Sequence, residues 1–252
     1  MINLDRQKLA DEHSIDQIRD RLNVENKPDY LADFVYGAID GTVTTFAVVS
    51  GVAGADLSSS IVIILGFANL IGDGFSMAAS NFLGTRTDMQ LHEKAKAREA
   101  AEIDAYPEGE REEIRQIFAA KGFEGQQLEQ VVDTITANRK VWIETMLTEE
   151  MGLSLTRRSP LRAASATMTA FLAVGLIPLM PFVAEYFSPT MEISPYTQSS
   201  LMTAIAFFAV GAAKSRFVDQ RWYWSGLETL SVGGAAAVLA YVVGMALGNI
   251  AG

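Results

Sequence analysis

Two acidic residues lie inside runs that are otherwise apolar enough to cross a bilayer: Asp40, within Gly37-Ala-Ile-Asp40-Gly41-Thr-Val-Thr-Thr, and Asp73, within Gly72-Asp73-Gly74. A carboxylate at membrane depth is costly, so it usually faces a polar path, a partner charge or a proton. Around Asp40, hydroxyls and backbone oxygens can share a cation; Asp73 has the structural alternative of a protonated group bonded to a neighbouring helix. Met77, one helical turn past Asp73, offers a thioether that late first-row metals tolerate and Mg²⁺ or Ca²⁺ do not seek. On its own, a methionine in an apolar helix is more often packing.

A second acidic group is polar in context. Glu99 and Glu102 are three residues apart and share a helix face, and Glu110 and Glu113 repeat the spacing beyond Pro107. A hairpin at Pro107 would bring the pairs together, and converged carboxylates repel unless a cation binds between them. The competing reading is a solvated acidic surface, since Glu93, Glu108 and Glu112 lie in the same stretch. His92 reads as an ordinary surface histidine.

Composition narrows the chemistry. The 252 residues contain no Cys and two His, so thiolate sites, disulfides and cysteine nucleophiles are absent, and any metal must rest on carboxylate, amide, thioether and backbone ligands. A net charge of −10 argues against nucleic acid as a partner and for cations. At 49% hydrophobic and 20% charged, the chain is expected to be part membrane, part polar.

Elements able to position these residues are all helical. Apolar runs at 34–54, 61–83, 163–184, 201–213 and 227–250 predict five transmembrane helices, the fourth being short but extendable through Ser199 and Ser200. Residues 1–33 are polar and are not expected to hold a cleavable signal peptide. Between the second and third runs lies a charged stretch, giving the expected organisation 1–33 N-terminal segment, 34–84 helices one and two, 85–158 helical insert, 159–252 helices three to five. Within the insert, helices are expected over Met89–Asp104, from Pro107 to the Gly122 stop, over Gln126–Asn138 and over Lys140–Met151, with Gly152 closing the last. Five Lys and Arg residues precede the first run, twelve lie over 86–162 and three over 214–221. By the retention of basic loops on the cytoplasmic side, the N-terminus and insert are expected in the cytoplasm and the C-terminus outside. Glycines on the first, second and last runs allow close helix packing, although any single one is ordinary membrane-helix composition.

Taken together, the Tyr36-Gly-Ala-Ile-Asp40-Gly segment, the Gly72-Asp-Gly-Phe-Ser-Met77-Ala-Ala-Ser helix, the acidic insert, Trp142…Met146…Glu150-Met-Gly-Leu153, and Ser225-Gly-Leu-Glu228…Gly233-Gly234 resemble the vacuolar iron transporter family over roughly 30–250. The resemblance implies a homodimer of five-helix protomers with a metal-binding insert, exporting Fe²⁺, and also Mn²⁺, from the cytosol in exchange for protons. It implies metal ligation by Glu99, Glu102, Glu110, Glu113, Glu150 and Met146, a path through Asp40 and Met77, and an acid at the mouth of the first helix, Asp33. It implies no prosthetic group. Leu147 departs from the second methionine of plant members, and Ser80-Asn81 from a common Gly-Glu.

The expected function is therefore a divalent transition-metal transporter, not an enzyme, in a bacterial cytoplasmic membrane. Two other classes are weighed against it. A di-iron carboxylate enzyme would pair Glu with Glu-x-x-His, a spacing absent here. A membrane-anchored metal sensor would have no use for acids inside the membrane.

Overall fold

The computed structural model of the chain describes residues 13–23, 28–188, 193–218 and 220–251. Parts of the N-terminal segment (1–12 and 24–27) and Gly252, on which the expected cytoplasmic start and external end depend, lie outside the described residues. Every regular element among the described residues is helical: α1 (Ile15–Asn23), α2 (Leu31–Gly54), α3 (Ser59–Ala105), α4 (Pro107–Ala120), α5 (Gly125–Thr136), α6 (Arg139–Glu149), α7 (Pro160–Gly175), α8 (Met180–Phe187), α9 (Pro195–Lys214) and α10 (Trp222–Ala251). They form two compact units, one of residues 1–29 and 89–158, the other of residues 30–88 and 159–252.

The second unit carries the apolar runs. Among the described residues, four helical segments are long and apolar enough to cross a membrane: Leu31–Gly54, Ser59–Ala105, Pro160–Phe187 and Trp222–Gly248. The fifth expected span is α9, which is 20 residues long, longer than the apolar run predicted. Its opening turns, Tyr196 to Ser200, are polar, and that keeps it outside the four. Ser199 is fully buried and donates to the Pro178 carbonyl at 2.7 Å, so part of that polarity is consumed inside the bundle. The third run is not one uninterrupted helix. A 3₁₀ turn at Ile177–Leu179 divides α7 from α8, because Pro178 and Pro181 each remove a backbone donor.

Helix α2 is the centre of this unit, packing along α7 and α10 and, less extensively, α9. The approach to α7 is set by two glycines. A Cβ on Gly37 would stand 2.3 Å from the Thr167 carbonyl oxygen and one on Gly41 2.5 Å from that of Phe171, distances that only glycine allows. The apolar core of the unit gathers Val49, Val52, Val62, Leu70, Phe171, Leu179 and Phe182. By contrast α10 leaves Val238, Leu239, Val242, Val243 and Leu247 exposed, the surface a bilayer would cover.

The first unit has its own core of Ile103, Ile114, Val132, Ile135, Trp142, Ile143, Met146 and Leu147. Its punctuation follows the sequence: Pro107 opens α4, and Gly122 (φ 94°) and Gly152 (φ 65°) take left-handed conformations just past α4 and α6. The expected helix Met89–Asp104 is not separate. It is the continuation of the second membrane run in the 47-residue α3, because nothing stronger than the lone Gly84 interrupts the helix formers after Leu83. Asn138 caps α6, its side chain accepting from the amides of Lys140 and Val141 at 3.0 and 3.3 Å.

Candidate metal sites

Within the first unit, the turn at Pro107 folds α4 back so that Glu110 meets Glu99 of α3. The two are in side-chain hydrogen-bond contact, and they are 8% and 1% exposed, a rare degree of burial for carboxylates. With both groups ionised, Glu99 Oε1 and Glu110 Oε2 are buried without a hydrogen-bond partner. Burial, then the bond with Glu110, then the negative charges of Glu110, Glu150 and Glu102 push the Glu99 carboxyl up to about 8. A proton on Glu99 therefore satisfies the pair at neutral pH, and a cation is the other group able to do so.

Three further acids surround this pair electrostatically. Glu113 titrates above its ordinary range because of partial burial and then Glu110, Glu150 and Glu102; Glu150 is raised by burial, Glu110 and Glu102. Both are exposed at the rim. Glu102 is tied to Arg98, whose Nε donates at 2.9 Å. Arg98 also opposes the rise at Glu150, which makes it the counter-ion of the cluster. Met146 is fully buried in the hydrophobic core of the unit. Among the described residues, no three His, Asp or Glu side chains already stand as a metal-ligating group. The arrangement is a buried carboxylate pair with an exposed acidic rim. Sequence reading gave Arg98 no role, although an Arg four residues before a Glu on one helix is a local signal for such a pair.

In the second unit, Asp33 near the start of α2 is 7% exposed. Asn81 of α3 donates from Nδ2 to Asp33 Oδ1 at 2.8 Å and to Thr167 Oγ1 at 2.7 Å, and accepts from Thr85 Oγ1 at 3.2 Å. Thr167 in turn reaches the carbonyls of Ala163 at 3.1 Å and Asp33 at 3.4 Å. Asn81 entered the sequence reading only as a departure from a pattern, and Thr85 and Thr167 not at all. Deeper in α2, Asp40 is half-buried and within electrostatic reach of Asp73, which is exposed on α3. Thr44 donates to the Asp40 carbonyl at 2.9 Å and receives Asn69 Nδ2 at 3.3 Å. Met77 packs against the apolar core. The Asn69–Thr44 bond thus joins α2 to α3 by a polar contact, with the like charges of Asp40 and Asp73 within reach of each other, and Met77 is partly buried beside the apolar core.

A bundle of apolar helices with carboxylates at membrane depth, joined in one chain to a polar helical unit with a buried acid pair, defines a polytopic integral membrane protein. Residues 31–245 match the VIT family, and the chain belongs to that family. A vacuolar iron transporter of Toxoplasma gondii is 31% identical over 95% of this chain and 83% of its own length. One from Centaurea cyanus is 32% identical over 86% of this chain and 87% of its own length. Vacuolar iron transporter 1 of Arabidopsis thaliana is 30% identical over 84% of each.

Proposed function

We propose that the chain is a divalent transition-metal transporter that moves Fe²⁺, and also Mn²⁺, out of the cytosol in exchange for protons, and that it is not an enzyme. The observation that carries the reading is the Glu99–Glu110 pair, two carboxylates removed from water and left short of a partner unless a proton or a cation joins them. The names of the relatives support iron as the cargo, and carboxylates supplemented by a thioether, the part this reading gives Met146, would suit Fe²⁺ and Mn²⁺ better than Ca²⁺.

In this scheme a metal ion replaces the proton on Glu99, draws in Glu102, Glu113 and Glu150 against the pull of Arg98, and uses Met146 as its soft ligand. It then passes to the membrane unit, where Asp33 receives it and Asp40, Asp73 and Met77 line its way. Orientation follows the basic residues, with the insert in the cytoplasm and α9 as the fifth span. A homodimer is supported by the exposed face of α3, where Asp73, Ser76 and Ser80 would otherwise meet lipid.

Proton coupling is tested in proteoliposomes holding a pH-sensitive dye. Metal entering one way should drive protons the other, so the lumen changes pH only when Fe²⁺ or Mn²⁺ is added. Metal flux with no pH change would reject antiport and leave a uniporter.

A further inference from the structure

Between the end of α9 and the start of α10, the second unit has an open cavity of about 750 Å³. Ala209, Ala212 and Ala213 form its apolar wall, and Arg216, Arg221 and Trp222 line the rest. Two of the three basic residues there are available. Lys214 is engaged by Glu228 at 3.5 Å, whereas Arg221 gives one donor to the Tyr223 hydroxyl at 2.8 Å and Arg216 makes no ion pair among the described residues. Over 214–221 the only acidic residue is Asp219. Trp222 stands edge-on to Phe208, ring centroids 5.8 Å apart, at the first residue of a membrane-spanning helix.

We propose that this cavity binds the phosphodiester headgroup of an anionic phospholipid. Guanidinium forks match phosphate oxygens in pairs, and a cation near a membrane surface gains from anionic lipid. A soluble phosphate would use the two arginines alone. A lipid also uses what surrounds them: the alanine wall for its chains, and Phe217, Val218 and Trp224, which are 63%, 53% and 56% exposed beside the charges. Tryptophan at this level is the usual companion of headgroups.

The test is native mass spectrometry of the full-length protein in detergent, titrated with phosphatidylglycerol, phosphatidylcholine or inorganic phosphate. The wild type should retain phosphatidylglycerol in preference to phosphatidylcholine, and inorganic phosphate should not displace it. Arg216→Ala with Arg221→Ala should lower its retention about tenfold, while Lys94→Ala with Lys96→Ala, which removes two exposed cations elsewhere, should not. If the double alanine variant fails to fold, Arg216→Gln and Arg221→Gln made singly should each lose part of the binding. Undiminished retention in the arginine variants, an equal loss in the lysine control, or displacement by inorganic phosphate would overturn the assignment.

Discussion

Asn81 holds Asp33 across 48 residues of sequence, its amide 2.8 Å from Oδ1, while its second proton goes to Thr167 and its oxygen accepts from Thr85. Both the nitrogen and the oxygen of the Asn81 amide are engaged, so α2, α3 and α7 are fixed to one another where the first apolar helix begins. Asn81→Leu should remove the amide that orients the Asp33 carboxylate, destabilising the protein by about 1.5–3 kcal/mol, as for a partly buried hydrogen bond to a charged group. Thermal unfolding in detergent measures this, and metal flux should fall in the variant at temperatures where it remains folded. Unchanged stability and flux would show that the bond positions nothing.

The packing that brings Thr167 to Asp33 rests on Gly37. Gly37→Val would drive a side chain into the Thr167 backbone, which cannot yield as a flexible side chain could. The expected result is a loss of several kcal/mol, beyond an ordinary surface change, seen as a lower unfolding temperature. Gly72→Ala is the control, because no atom lies within 4 Å of the added Cβ.

The insert's helices were readable in the sequence because Pro107, Gly122 and Gly152 punctuate them, whereas the Asn138 cap emerges only from the structure. The sequence could not tell which glutamates would be buried. Glu99 and Glu102 look alike in spacing, yet Glu99 is enclosed by the core of its unit and Glu102 is held at the surface by Arg98. The Asn81–Asp33 bond left no local signal either, since it depends on how helices far apart in sequence meet. In the membrane unit the apolar runs were plain, but the break at Pro178 lay hidden within one, and α9 begins at Pro195, a turn before the Ser199 and Ser200 through which its apolar run could be extended.

The pH dependence of stability follows from Glu99. Its carboxyl is raised from the usual carboxylate range to about 8, so the folded protein holds a proton that the unfolded chain releases. That stabilisation is full below the ordinary glutamate range and lost as pH rises through about 8. Metal-free protein should therefore unfold at a lower temperature at pH 8.5 than at pH 5.5, and Glu99→Gln should flatten the difference. An unaltered profile in the variant would place the titration elsewhere.

Arg98 competes with metal for Glu102. Arg98→Ala should strengthen Mn²⁺ binding by a few-fold, the modest effect of an exposed ion pair, whereas Glu102→Ala with Glu113→Ala should weaken it without unfolding the protein. Calorimetric titration of the full-length protein checks both. Equal affinity in all three forms would make the rim ordinary surface acid.

The most direct test of transport is Fe²⁺ and Mn²⁺ flux into liposomes under an imposed pH gradient, for the wild type and for Asp40→Asn. Asparagine keeps the shape and hydrogen-bonding capacity of Asp40 but removes the charge that offsets dehydration of a divalent ion. The account predicts flux in the wild type, severe loss in Asp40→Asn, and unchanged metal binding to the acidic unit. Wild-type flux no greater than that of empty liposomes, or Asp40→Asn flux equal to wild type, would contradict it.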